Sequence, residues 1–282
     1  MANINDDILK LPKIMNGTID GNWNSIYSRN TEDLNRIVSH VDFKNKEIYS
    51  VLSSSDILFY LYLNGAKRVD TFDINSLTYR YYYLKKWLLE SGFLDAEDLG
   101  IKEIDSIIKS HKNANDINER ESVLLWQYYL DLRQKDKWYD ERIFGFYADA
   151  LFEHSHEEFE FPYGEADIKK LLDKLNSNKL DFEVINISSD SYNNSKKYDI
   201  VYLSNILDLR TTNNVKNIMN NVNKLLKDNG IVVCTNMMNH PCIDLFSEQI
   251  KIFSECFEYE KLDIELRGIA KAPIKYYKYI KK

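Results

Sequence analysis

The stretch that decides the fold is "IYSVLSSSDILFYLYLNGAKRVDTFDIN", Ile48 to Asn75. It runs as an apolar strand, a polar turn, a short helix stopped at Asn64-Gly65, and a second strand that ends on a carboxylate. This is the order of the first half of a nucleotide-cofactor domain, in which glycines let the first turn approach a pyrophosphate at a helix N-terminus. Here the turn is Ser53-Ser54-Ser55-Asp56 instead. A Cβ on every turn residue argues against a dinucleotide. Hydroxyls and a carboxylate suit a ligand that carries ammonium and carboxylate groups but no phosphate. The plainer alternative is a helix N-cap with no ligand.

Outward from this stretch the chain alternates. Upstream, Thr31 can cap a short helix carrying Leu34, Ile37 and Val38. The first strand is expected over Glu47–Ser54, the helix over Asp56–Leu63 and the second strand over Arg68–Ile74. An aromatic helix capped by Ser76 then runs to Gly92. Between Phe93 and Glu165 the sequence turns charged, helix-periodic and rich in Trp and Tyr, which reads as a helical insertion, either a lid over an acceptor or a packed helical subdomain. Alternation resumes with a helix Glu165–Leu175 and strands Asp181–Ile187 and Tyr198–Ser204. The next helix shows Val215, Ile218, Met219, Val222, Leu225 and Leu226 on one face and is expected to end at Asn229-Gly230. A strand Ile231–Asn236, a helix Ile243–Phe253 and strands Phe257–Leu266 and Lys275–Ile280 complete the chain. The organisation expected is an N-terminal helical segment (1–45), a first part of the core (46–92), the insertion (93–165) and the rest of the core (166–282).

Strands separated by helices imply a parallel sheet covered on both faces. The last two strands have too short a connection for a crossover and should pair antiparallel at an edge, where the basic "KYYKYIKK" end reads as a solvated edge strand. An α/β, Rossmann-like, mostly parallel seven-stranded sheet with an antiparallel C-terminal hairpin is the arrangement of class I S-adenosylmethionine-dependent transferases. That ligand has no phosphate, which agrees with the turn.

In such a sheet the ligand sits beyond the carboxyl ends of the strands. The residues placed there are Ser53, Ser54, Ser55 and Asp56 after the first strand, and Asp73, Ile74 and Asn75 after the second. Ser189 and Asp190 follow the third strand, Ser204 and Asn205 the fourth. Asp73 stands 20 residues beyond Ser53, the place from which a carboxylate accepts hydrogen bonds from ribose hydroxyls. Its alternative role is to cap the helix that follows.

"LSSSDILFYLYLNGAKRVDTFDIN" and "YDIVYLSNILD" resemble the S-adenosylmethionine:diacylglycerol 3-amino-3-carboxypropyltransferases of betaine-lipid synthesis. Upstream, "IYSRNTEDLNRI" is similar to that family's Tyr-x-x-x-Trp-Glu-Asp segment, with Tyr27, Glu32 and Asp33 matching. The likeness covers Ile26–Leu89 and Phe182–Asn236, and departs at Thr31 (Trp in the family), Ser55 (Gly) and Ser76 (Pro). It implies S-adenosylmethionine as cofactor, Tyr27 among its contacts, and transfer of a 3-amino-3-carboxypropyl group to a small or lipid-like acceptor. Methyl transfer on the same fold is the alternative, and a catalytically silent binding module a further one.

The remaining features narrow the field. A formal net charge of −7 gives no whole-chain footprint for nucleic acid. Three cysteines without C-x-x-C spacing, and an opening too polar for a secretory signal, lead to the expectation of a cytoplasmic protein. No apolar run is long enough to span a membrane. His154 and His156 lack a third metal ligand at familiar spacing, so no metal is expected. His240, just beyond the fifth strand, is a candidate base toward an acceptor, and Tyr79, one turn into the helix after Asp73, is a further catalytic candidate that could reach the cofactor.

Overall fold

The computed structural model describes residues 32, 34–92, 116–125, 165–190, 192–207, 211–236, 245–267 and 273–282. Among them the elements are α1 (Leu34–His40), β1 (Glu47–Val51), α2 (Asp56–Leu63), β2 (Arg68–Asp73), α3 (Leu77–Glu90), α4 (Glu165–Ser177), β3 (Asp181–Val184), β4 (Tyr198–Ser204), α5 (Thr212–Leu225), β5 (Leu226–Asn236), α6 (Leu245–Phe253), β6 (Phe257–Arg267) and β7 (Pro273–Lys281). A further helical stretch covers 117–125. By compactness the chain forms two units, one of Met1–Thr31, Leu52–Phe59 and Asp73–Lys179, the other of Glu32–Val51, Tyr60–Phe72 and Leu180–Lys282.

The second unit carries the sheet, in the order β3-β2-β1-β4-β5-β7-β6. β1 pairs in parallel with β2 and β4, β4 in parallel with β5, and β7 antiparallel to both β5 and β6. This is the expected seven-stranded Rossmann-like arrangement. The carboxyl ends of β1, β2, β4 and β5 therefore share one edge. Because β1 and β4 are paired on both sides, their residues are apolar on both faces: Ile48, Tyr49, Ile200, Val201, Tyr202 and Leu203 are all buried. Tyr49 stacks between Phe72 (4.7 Å) and Tyr198 (5.0 Å), tying three neighbouring strands by one aromatic row. α5 packs on β4, β5 and α6, while α6 packs on β6.

Three expectations are corrected. The C-terminal strand is not the edge: β7 lies between β5 and β6, with Tyr277 and Tyr279 buried, and β6 is the outermost strand. α5 does not reach Asn229-Gly230 but ends at Leu225, and the Asn229-Gly230 pair falls inside β5. There Asn229 takes φ +59°, and the register slips between Tyr198↔Leu226 and Ile200↔Ile231, a bulge that the Asn-Gly pair makes possible. Ser76 makes no side-chain cap on α3; Asn75 Oδ1 instead accepts from the Leu77 N–H at 3.0 Å.

In the first unit α3 packs against α4. All but two residues of α3 are buried, including Arg80, Lys85 and Lys86. Each of the three cations has a carboxylate: Arg80 with Glu121 (2.9 Å), Lys85 with Asp56 (2.7 Å), and Lys86 with Glu90 (2.8 Å) and Glu119. Of the expected insertion, only 116–125 and the start of α4 at Glu165 lie among the described residues. No helix among the described residues is long and apolar enough to cross a membrane.

Candidate functional site

In the first unit the turn after β1 and the end of β2 are joined through one carboxylate. Asp73 Oδ2 accepts from the Ser53 N–H and Oδ1 from the Asn75 N–H, both at 3.0 Å, and the Ile74 N–H also points at the group. Burial pushes the carboxyl up to about 6, against the opposing pull of these backbone donors. Asp73 thus organises the turn and also keeps an edge at the surface, 9% exposed, beside Ile74 at 39%. Ser53 is half-buried. A charged acceptor next to an exposed apolar side chain is a pairing that fits a ribose and the face of its base.

The rest of the serine turn faces inward. Ser54 Oγ donates to Asp56 Oδ2 at 2.8 Å, and Lys85 Nζ donates to Asp56 Oδ1 at 2.7 Å while lying 4.9 Å from the Tyr81 ring centroid. Both Asp56 oxygens therefore have protein partners, and the carboxylate is turned toward α3. Nothing in the sequence marks Lys85 for this role, since a lysine on a helix is ordinarily solvated.

Ser53 (φ +48°) and Ser55 (φ +74°) hold left-handed conformations that glycine adopts without cost. The missing glycines are thus felt as strain. Ser55 is fully buried, and among the described residues its Oγ has no hydrogen-bond partner. A left-handed L-residue costs roughly 1–2 kcal/mol, partly offset in a glycine variant by the ~0.5–1 kcal/mol that glycine loses in chain entropy. Removing the orphaned hydroxyl adds to the gain. Ser55→Gly is therefore expected to stabilise the protein by about 1 kcal/mol, raising its melting temperature by roughly 2–4 °C. A thermal melt checks this, and a lower melting temperature would show that the turn is not strained.

In the second unit Glu32 sits at the carboxyl ends of β4 and β5, fully enclosed. Ser204 Oγ (2.6 Å) and Thr235 Oγ1 (2.7 Å) donate to its Oε1, and the Tyr202 hydroxyl donates to Oε2. Burial holds the carboxyl above its usual range while the three hydroxyls pull it back. The sequence marks Glu32 only as part of a motif match, not as a site residue. Ser204 takes φ +52° to reach it. Ser204 and Asn205 are both half-exposed and not part of the apolar core. Ser189 is half-exposed and Asp190 exposed, on the loop after β3.

Tyr79 donates its hydroxyl to Asn118 Oδ1 at 3.1 Å, and burial raises its phenol further above neutral pH, which makes it a poor base. Tyr27, His240, His154 and His156 lie outside the described residues. Among the described residues no group of His, Cys, Asp and Glu could hold a metal ion.

No family model matches the sequence, and no curated protein is similar enough to count as a relative. Solved structures give weak resemblances. The N-methyltransferase NodS from Bradyrhizobium japonicum WM9, in complex with S-adenosyl-L-homocysteine, is 9% identical over 88% of this chain and 83% of that one, with a TM-score of 0.41. A TehB-like SAM-dependent methyltransferase from Corynebacterium glutamicum is 11% identical over 99% and 100%, at 0.45. A SAM-dependent O-methyltransferase from Thermotoga maritima is 11% identical over 96% and 70%, also at 0.45. Similarity at this level adds nothing to what the sheet order establishes.

Proposed function

We propose that the chain is an S-adenosylmethionine-dependent transferase in which Asp73 receives the ribose hydroxyls. The observation that carries this reading is the Asp73 carboxylate at the end of β2, held by the Ser53 N–H of the first turn and flanked by the exposed Ile74. Ser53 and Asn75 keep the turn and the strand end in register.

The chemistry is attack by an acceptor nucleophile on a carbon bonded to the sulfonium, displacing a neutral thioether. Positioning the two reactants supplies much of the acceleration, and no protein nucleophile is required. The residues that resemble the betaine-lipid enzymes favour the γ-carbon of the methionine chain, hence 3-amino-3-carboxypropyl transfer to a small or lipid-like acceptor and release of 5′-methylthioadenosine. Methyl transfer would release S-adenosylhomocysteine instead, so chromatography of the product nucleoside separates the two.

The reading carries a pH signature. Ribose hydroxyls donate to the ionised carboxylate, whose pKa lies near 6 before the ligand arrives. S-adenosylmethionine affinity is therefore expected to rise as pH increases from about 5 to 7 and then level off. The stability linkage has the opposite sign. The folded pKa lies above the unfolded ~3.9, so the unliganded protein's stabilisation by this group is full below that value and fades as pH rises through about 6. Titration calorimetry across this range, with Asp73→Asn as control, tests the proposal. Wild-type affinity that is flat or falling over the interval would contradict it.

A further inference from the structure

The helical stretch 117–125, in the first unit, meets α3 with its polar side. Tyr79 donates its hydroxyl to Asn118 Oδ1 (3.1 Å), the Arg80 guanidinium pairs with Glu121 (2.9 Å), and Lys86 pairs with Glu119. Arg80, Lys86, Glu119 and Ser122 are buried, and among the described residues the Ser122 hydroxyl has no hydrogen-bond partner. Leu125 is buried with them, but Ile117 and Leu124, seven residues apart and so on one face, stand 59% and 50% exposed. The stretch caps its own start, where Asp116 Oδ1 accepts from the Asn118 N–H at 2.7 Å.

A helix built into a core ordinarily gives that core an apolar stripe, whereas this one gives it charges. Separating an apolar contact exposes it to water at full cost. Separating paired charges returns them to a solvent that receives them well, which offsets most of the lost attraction. Such a contact is made or broken as a whole, since a charge left buried after its partner has gone is the costliest arrangement. The place where it is made lies one turn beyond Asp73. The Asn75 N–H donates to Asp73 Oδ1 (3.0 Å), Asn75 Oδ1 accepts from the Leu77 N–H (3.0 Å), and the Asn75 carbonyl accepts from the Thr78 hydroxyl (2.8 Å). Tyr79 and Arg80 follow directly, with the guanidinium 5.6 Å from the Tyr79 ring centroid. What steadies Asp73 therefore steadies the turn that presents both side chains.

We propose that helix 117–125 is a latch that docks on α3 and leaves it as one piece, and that a ligand seated on Asp73 fastens it through the first turn of α3. The fastening rests on the cofactor reading above. Ribose hydroxyls on the Asp73 carboxylate restrict Asp73, and with it Asn75 and the groups that Asn75 accepts from. Tyr79 and Arg80 are then held where Asn118 and Glu121 meet them, so docking costs less ordering entropy than in the free protein. The ligand thereby favours the docked state over the open one, which is the condition for shifting the balance between them.

Hydrogen exchange on the full chain, read by mass spectrometry with and without saturating S-adenosylhomocysteine, is the test. In the free protein the amides of 117–125 should be protected about tenfold less than those of 84–89 in α3. Glu119→Gln and Asn118→Ala should each speed exchange in 117–125 by roughly threefold to tenfold more and leave 84–89 unchanged, because Lys86 keeps Glu90 at 2.8 Å. S-adenosylhomocysteine should slow exchange in 117–125 by about fivefold or more. Equal protection of the two segments in the free protein, or variants that loosen both together, would show one cooperative piece and overturn the proposal. Exchange in 117–125 that bound S-adenosylhomocysteine leaves untouched also overturns it, while the cofactor reading stands. No calorimetric binding of S-adenosylhomocysteine removes the cofactor reading itself, and this inference with it. If Glu119→Gln fails to fold, Asn118→Ala, a half-buried position at the start of the helix, carries the test.

Discussion

Asp73→Ala is expected to weaken S-adenosylmethionine binding by roughly 10- to 150-fold, the loss of a charge-assisted hydrogen bond of about 1.5–3 kcal/mol. The same change affects the fold, because the Ser53 and Asn75 N–H groups lose their acceptor. Each orphaned buried donor costs about 1–3 kcal/mol, so a lower melting temperature is expected alongside the weaker binding. Asp73→Asn separates the two effects, since its amide oxygen still receives one of the backbone donors. Titration of either variant, shown by circular dichroism to be folded, checks the assignment. Unchanged affinity in a folded variant would remove the ribose role and leave Asp73 a turn-holding residue alone.

Lys85→Ala is expected to cost about 3–5 kcal/mol of stability, because it takes the paired cation away from the buried Asp56 carboxylate. The double change Lys85→Met with Asp56→Leu should recover most of that loss, since an apolar pair of similar volume avoids desolvating two charges. Denaturant unfolding of the two proteins gives both numbers. A single variant that loses under about 1 kcal/mol would show that the pair is not sealed from water.

The fold was legible where backbone chemistry is local. Asn64-Gly65 stops α2 as read, with Gly65 at φ +85°, because only a residue tolerant of the left-handed region can end a helix that way. The same dipeptide at Asn229-Gly230 misleads, since a bulge inside a strand makes the same demand on φ as a helix end. The lysines of the last strand read as edge protection, yet β7 is an interior strand. Its lysines are spent elsewhere: Lys278 pairs with Glu260 (2.6 Å), and Lys281 donates to the Asn223 carbonyl (3.0 Å).

The candidate site was legible in part for a similar reason. Asp73 is found by counting residues along a strand, and its place at the end of β2 follows from sheet topology. Asp56 looks the same in sequence, a carboxylate at a helix start, but its partner Lys85 lies 29 residues away and only tertiary packing brings it near. The enclosure of Glu32 under Ser204 and Thr235 depends on contacts spanning 172 and 203 residues, which no local pattern encodes. The asparagines of α5 read as its polar face until Asn221 is seen buried on the loop after β3.

The most direct measurement is calorimetric titration of the unmodified chain with S-adenosylmethionine near pH 7. Saturable one-site binding that weakens as the pH is lowered through about 6 is expected. No detectable binding by the folded protein, even at about 1 mM ligand, would contradict it.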